Sequence, residues 1–245
     1  MSAETESQVI TTKLLGREEV AEGTMAFRYE RPQNWVFTAG QFVEVSMPDL
    51  PAGQAWRTHT FSIASAPEED FLMNATRLSG SEFKNSLSTI PLGSRIKIEG
   101  PFGDLVLHED SARAAVLLTG GIGITPMRGI VIDAARRKLP HKIFLFYSNR
   151  RPEDAAFLTE LAALEKENPN YRFIATMTQM EKSSRPWKGE TGYITKQMLD
   201  KYLSGAKSPI YYITGPGEML NALRKMLTDG GVKREDIRAE DFPGY

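Results

Sequence analysis

Apolar residues in the first hundred positions come in short runs, many of them alternating with polar ones. Runs at 9–15, 25–29, 42–45, 58–65, 71–76 and 95–99 are bounded by Gly16, Gly23, Pro32, Gly40, Pro48, Pro51, Gly53, Pro67, Gly80 and Gly93. That is the rhythm of short strands joined by turns, and it predicts an all-β barrel or sandwich. One brief helix is predicted over 81–89, where Phe83, Leu87 and Ile90 recur at helical spacing.

From Arg113 onward the pattern changes. Largely apolar runs at 114–119, 142–148, 171–178 and 210–214 alternate with helical periodicity at 126–138, 155–168 and 218–229. Strands apolar on both faces, separated by helices, predict a parallel sheet covered on each side. The change of rhythm near 109–112 divides the chain into an expected β domain, residues 1–110, and an α/β domain, residues 111–245. Residues 181–188, with Ser183, Ser184 and Pro186, read as the most loop-like stretch of the second half.

Charge sharpens this division. The 245 residues carry a net charge of -1, but residues 1–108 hold -5 and residues 109–245 hold +4. A basic second half suits an anionic ligand or an acidic partner, as well as ordinary solvated surface. Its cations are too dispersed for a nucleic-acid footprint, so no nucleic-acid partner is expected. The absence of cysteine removes thiolate nucleophiles, disulfides and cysteine-ligated clusters, and the three histidines are too scattered in sequence to suggest a metal site, so none is expected. The polar, acidic start and the lack of a run of about 20 apolar residues lead to the expectation of a cytoplasmic protein with no membrane span.

Three segments carry candidate chemistry. Thr119-Gly120-Gly121-Ile122-Gly123-Ile124-Thr125-Pro126 follows a predicted strand and opens a predicted helix. The glycines Gly120, Gly121 and Gly123 let main chain approach a pyrophosphate, Thr125 is placed to cap the helix, and Pro126 suits its first turn. Read alone, the glycines could also form no more than a tight turn. The next strand ends in Ser148-Asn149-Arg150-Arg151, where an acid would favour a free ribose 2′-hydroxyl and an arginine a 2′-phosphate. Ser148 with Arg150 or Arg151 leans toward NADPH, nearby Glu153 and Asp154 keep NADH open, and residues 149–152 could equally form a plain basic turn before a helix. In the β half, alternation sends Arg57, His59, Phe61 and Ile63 to one face and Thr58, Thr60, Ser62 and Ala64 to the other. Basic, aromatic and hydroxyl groups on one strand can hold a phosphate beside a conjugated ring, although a plain edge strand would read similarly.

Taken in order, Phe61-Ser62-Ile63-Ala64-Ser65, Gly100-Pro101-Phe102-Gly103, the Gly120 to Pro126 loop, Thr214-Gly215-Pro216 and the terminal Phe242-Pro243-Gly244-Tyr245 resemble the ferredoxin–NADP reductase-like flavoprotein superfamily. The resemblance covers nearly the whole chain. It implies an antiparallel Greek-key β-barrel binding flavin, followed by a Rossmann-like α/β domain binding pyridine nucleotide. The implied cofactors are FAD, with FMN left open, and NADPH or NADH as substrate. By the same resemblance Phe61 lies against the flavin and Ser62 sits near its reactive nitrogen. The family arginine falls on His59, so the phosphate contact comes from His59 or from Arg57. Lys84, Asn85 and Ser86 open the short helix at the flavin phosphate, with Lys84 where a serine is usual.

Thr214, in a slot often held by cysteine, would lie near the nicotinamide with Gly215 and Pro216. Tyr245 would gate the nicotinamide position, with Glu240 a nearby acid and Thr125 passed by the nicotinamide on its way to the flavin. The resemblance thus implies hydride transfer to bound flavin, with Ser62, Thr125, Glu240 and Tyr245 at the reaction centre. With no cysteine for an iron–sulfur relay, the expected acceptor is separate: a ferredoxin, flavodoxin, oxygenase component or small oxidant. Two alternatives stay open, a flavin reductase using free flavin as substrate and a non-enzymatic binding module.

Overall fold

The computed structural model describes residues 7–48 and 58–241. Its first half is built from β1 (Gln8–Ala21), β2 (Thr24–Glu30), β3 (Phe42–Ser46), β4 (Thr58–Ser62), β5 (Phe71–Arg77), α1 (Glu82–Thr89) and β6 (Arg95–Phe102). The strands form one antiparallel sheet in the order β4-β3-β6-β1-β2-β5. Its two edges meet where the Ala64 N–H just beyond β4 donates to the Met73 carbonyl of β5 at 2.7 Å, which closes the sheet toward a barrel. Inward residues alternate as the pattern requires. Leu14, Phe27, Tyr29, Val43, Val45, Ile96 and Ile98 fill the interior, and Phe83 and Leu87 of α1 plug one end.

β1 runs well past the predicted 9–15. Gly16 reads as a terminator in the sequence, but it sits at a bulge between the Leu14 and Gly16 pairings with β2, so the strand bends and continues. Its first half pairs with β6 and its second with β2.

The second half contains β7 (Ala115–Gly120), α2 (Ile124–Arg136), β8 (Ile143–Asn149), α3 (Leu158–Ala163), β9 (Tyr171–Met177), β10 (Glu190–Thr191), α4 (Lys196–Tyr202), β11 (Ile210–Gly215), α5 (Gly217–Asp229) and β12 (Ile237–Asp241). All six strands are parallel, in the order β10-β9-β8-β7-β11-β12. Separate apolar clusters cover the two faces. The helix predicted over 155–168 is broken instead. A 3₁₀ turn at Pro152–Asp154 precedes Phe157, whose φ of 59° is left-handed, and α3 is short. The edge strands β10 and β12 and helix α4 escape the pattern because charged residues interrupt their apolar positions.

The connector between the sheets is stapled to the second one. The Tyr212 hydroxyl of β11 meets the His108 N–H at 2.8 Å and His108 Nδ1 at 2.9 Å. His141 Nε2 donates to the His108 carbonyl at 2.8 Å, and Arg238 donates to the Val106 carbonyl at 2.8 Å. Two of the three histidines are therefore committed to holding this segment.

Candidate functional site

The parallel sheet reverses its winding between β7 and β11, where Thr119 pairs with Thr214. From β7 the chain proceeds outward through β8, β9 and β10, then returns to β11 and β12 on the other flank. Ligands of such sheets bind outside the carboxyl ends of the strands at this switch point. Here the glycine loop leaves β7. Gly121 has a φ of 56°, a conformation that excludes most side chains, and it opens a 3₁₀ turn, Gly121–Gly123, that runs directly into α2. The leading N–H groups of that turn have no partner within it, the arrangement that suits an anion.

The loop is held tightly from both sides. A Cβ on Gly123 would lie 2.8 Å from the Gly215 nitrogen, and one on Gly120 would lie 2.5 Å from the Met219 sulfur. The Thr214 hydroxyl donates to the Gly123 carbonyl at 2.7 Å and lies 2.9 Å from the Thr119 hydroxyl. Tyr147 donates to the Gly121 carbonyl at 3.1 Å. Thr125 departs from its expected capping role. Helical structure begins before it, so Thr125 and Pro126 are buried inside α2 and the Thr125 hydroxyl donates back to the Ile122 carbonyl at 3.0 Å. Pro216 marks the start of α5, directly after Gly215, where an added Cβ would lie 3.2 Å from the Gly120 nitrogen.

At the end of β8, Ser148 pairs with Gly120. The buried Asn149 amide has neither its oxygen nor its nitrogen partnered among the described residues. Arg150 is exposed. Arg151 is not: Asp154 accepts from its Nε and Nη2 at 3.0 and 2.7 Å, and Glu22, just beyond β1, accepts at 2.9 Å. The neighbouring Glu153 fixes the 181–188 loop by accepting from Ser183 and Ser184, and against the opposing effect of desolvation its own backbone N–H together with these hydrogen bonds brings its carboxyl down to about 2.

On the barrel side, Ser62 is buried at the end of β4 opposite Phe42. Phe61 packs into the barrel core 5.8 Å from the Phe83 ring, and His59 stacks on it at 4.6 Å with 15° between the planes. His59 Nδ1 donates to the Thr60 carbonyl at 2.9 Å, which leaves Nε2 for another partner. Burial and the adjacent Lys84 charge lower the His59 pKa against the effect of that hydrogen bond, so the ring is neutral at pH 7. Lys84 is 6% exposed, and its ammonium has the Ser79 hydroxyl at 3.3 Å and no carboxylate within ion-pair distance among the described residues. Burial pulls its pKa down. Ser81 gives α1 no side-chain cap, so the first N–H groups of the helix, close to Lys84, Asn85 and Ser86, are open to an anion. A buried, under-partnered ammonium beside an uncapped helix end fits the pyrophosphate of a dinucleotide flavin.

Two more residues connect the halves, and one of them gives no sequence signal. Arg77, at the end of β5, brings its Nη2 within 3.8 Å of the position a Gly121 Cβ would take. Glu240 of β12 lies opposite Thr214, and its Oε1 is 3.6 Å from where a Gly103 Cβ would stand. Its Oε2 is buried without a partner among the described residues. Burial first, then the Asp104 charge, raises the Glu240 carboxyl to about 7. Arg57 and Tyr245, both expected at the site, lie outside the described residues.

Comparison with known proteins agrees with this architecture. A family model described as an FAD-binding domain matches residues 9–106, and one described as an oxidoreductase NAD-binding domain matches residues 117–225. The chain is thus an FAD- and NAD-binding oxidoreductase. The F subunit of the Na(+)-translocating NADH-quinone reductase of Pseudomonas aeruginosa (strain UCBPP-PA14) is 31% identical over 203 residues, covering 81% of this chain and 48% of the relative. The corresponding protein of Methylococcus capsulatus is 34% identical over 156 residues, covering 62% and 38%. The chain spans about half the length, or less, of these curated relatives.

Among solved structures, the cytochrome P450 reductase of Amycolatopsis superposes with a TM-score of 0.81 at 24% identity, covering 96% of this chain and 70% of the other. A ferredoxin NADP+ reductase of Neisseria gonorrhoeae with bound FAD and NADP gives 0.77 at 23% identity, covering 96% and 99%. The chain belongs to the ferredoxin–NADP reductase-like superfamily of flavoproteins. Its cofactors are FAD and NADH or NADPH.

Proposed function

We propose that this protein oxidises NADH, transfers the hydride to FAD held by the barrel, and hands the electrons to a separate acceptor. One observation carries the reading: the switch-point loop of the parallel sheet abuts the barrel, with Arg77 at Gly121 and Glu240 at Gly103. A nucleotide on that loop would have its reactive end directed at the ligand of β4 and α1. Bound FAD supplies the ring that accepts a hydride from C4 of the reduced nicotinamide and releases the electrons onward.

The protein's own contribution is binding and alignment. Lys84, the open end of α1, Asn85, Ser86 and His59 would hold the flavin phosphates, and Thr60, Phe61 and Ser62 would flank the ring. The N–H groups of Gly121 to Gly123 and the Arg77 guanidinium would hold the nucleotide pyrophosphate. Thr125, Pro126, Thr214, Gly215 and Pro216 would shape the floor beneath the nicotinamide. At about 7, the Glu240 carboxyl can either donate to or accept from the carboxamide at neutral pH. Tyr245 would be the gate over that position.

NADH is favoured over NADPH because two carboxylates already neutralise Arg151, which removes one of the two strand-end arginines that a 2′-phosphate could use. The name of the curated relatives, which belong to an NADH-quinone reductase, points the same way. A ferredoxin, flavodoxin, oxygenase component or small oxidant would serve as acceptor. In stopped-flow experiments NADH should bleach the flavin absorbance at least about tenfold more efficiently than NADPH, the discrimination expected when a 2′-phosphate meets an occupied arginine. Equal rates would remove the nucleotide preference, and no bleaching by either would remove the function.

Glu240→Gln should slow bleaching about tenfold and erase an inflection near pH 7. Its stability signature has a fixed sign. A carboxyl raised in the folded state from its ordinary 4.5 contributes stability that is complete below about 4.5 and lost as pH rises through about 7. The variant should therefore melt higher than wild type above pH 7 and lose that advantage near pH 5. Parallel melting curves across this range would contradict the assignment.

A further inference from the structure

Helix α2, whose leading turn carries the glycine loop, also carries a buried arginine facing the barrel. Arg128 is one turn into the helix, on a face otherwise lined with apolar residues, and is 4% exposed. All five of its N–H groups are used. Nη1 donates to the Ala64 carbonyl at 2.7 Å and to Glu69 at 2.9 Å, Nη2 to Glu69 at 3.2 Å and Glu160 at 2.6 Å, and Nε to Glu160 at 2.8 Å. The face of the guanidinium is covered by Phe157 at 5.2 Å, the residue whose left-handed backbone breaks the predicted helix.

What Arg128 grips matters as much as how firmly. Ala64 is two residues beyond Ser62, on the segment leaving the flavin strand. Glu69 braces that segment a second time by accepting from the Ala66 N–H at 2.7 Å. The neighbouring Gly129 lies against the same stretch, since a Cβ there would be 3.1 Å from the Ser65 carbonyl oxygen and 3.3 Å from that of Ile63. Three successive carbonyls after β4 thus meet one turn of α2. The helix that begins at the nucleotide loop and the strand that ends at the flavin are joined as one piece.

We infer that Arg128, seated by Glu69, Glu160 and Gly129, is a positioning residue that sets the separation between nicotinamide and flavin. The inference rests on the proposed placement of nucleotide on the glycine loop and flavin on β4. A simple interdomain tie would affect folding alone; a positioning tie must also change the rate of hydride transfer in protein that keeps both ligands. An arginine with a five-donor fork suits that task, because its planar geometry fixes direction as well as distance.

The test is stopped-flow flavin reduction at saturating NADH in wild type, Arg128→Met, Arg128→Lys, Gly129→Ala and a control, Asp236→Asn, which loses the Arg113 ion pair inside the second domain. Arg128→Met and Gly129→Ala should lower the limiting rate by about tenfold or more, as sub-ångström misplacement of reacting groups does. Flavin content should stay near one per chain, the NADH concentration for half-maximal rate within about twofold of wild type, and the long-wavelength charge-transfer absorbance should fall, as expected of displaced rather than unbound partners. Arg128→Lys should be intermediate, and Asp236→Asn should reduce at the wild-type rate. Wild-type rate and charge-transfer absorbance in Arg128→Met would overturn the inference. So would equal slowing by Asp236→Asn. Should Arg128→Met fail to fold, the single methyl of Gly129→Ala decides, with an unchanged limiting rate refuting the idea. If wild-type flavin is reduced by neither nucleotide, the proposed function falls first and this inference with it.

Discussion

Substituting Gly123 by alanine should cut flavin reduction by NADH about 100-fold while leaving the flavin bound, because a small displacement of the loop misaligns everything attached to it. The added Cβ would sit 2.8 Å from the Gly215 nitrogen, 2.9 Å from the Gly215 Cα and 2.9 Å from the Thr214 carbonyl carbon. All three are backbone atoms of the β11 end, so no side chain can swing away to relieve the contact. The loop must lift off β11, and the Thr214 hydroxyl then loses its grip on the Gly123 carbonyl. Overpacking of this kind costs roughly 1–3 kcal/mol of stability. The effect on turnover exceeds the effect on folding because the N–H groups of the same turn aim the pyrophosphate. Gly120→Ala is the informative contrast. Its Cβ meets the end of the flexible Met219 side chain, so it should lose less than tenfold. Stopped-flow reduction with flavin content and melting temperature checks both, and equal losses in the two variants would argue against the loop as the nucleotide cradle.

The contrast between these glycines illustrates what sequence can and cannot reveal. Periodicity exposes the barrel, the parallel sheet and the glycine loop, because each depends on neighbours within a few residues. It places the start of α2 at Thr125-Pro126, a pairing typical of a helix start, although the 3₁₀ turn at Gly121 has already begun the winding. Long-range partners leave no such trace. Arg150 and Arg151 are equivalent by position, and only the fold brings Glu22, 129 residues away, onto Arg151. Arg128 interrupts an apolar helical face without any nearby acid to explain it, since Glu69 lies 59 residues upstream and Glu160 lies 32 downstream. Phe157 reads as part of a helix because nothing in its neighbours announces a left-handed backbone. Lys84 can be aligned with a phosphate-binding position, yet its burial follows from the packing of α1 against the barrel.

That burial makes Lys84 the site of a second large effect, with opposite signs in its two readouts. Without an anion, a buried ammonium facing one hydroxyl is a liability: desolvation lowers its pKa, and the folded state is penalised wherever the group is charged. Stability is retained above the unfolded value of 10.5 and lost as pH falls through the lowered folded one. Lys84→Met keeps the length and apolar stem and removes the charge. Flavin-free Lys84→Met should therefore melt higher than flavin-free wild type. With flavin the order reverses. Losing a buried charge-assisted contact to phosphate costs on the order of 2–3 kcal/mol, about 30- to 150-fold in flavin affinity. Flavin fluorescence titration and thermal melting of the two forms measure the pair of effects directly. A drop in apoprotein stability together with unchanged flavin affinity would make Lys84 a packing residue and move the phosphate site elsewhere. The predicted reversal is the stronger result, because a residue kept only for folding has no reason to weaken the fold it sits in.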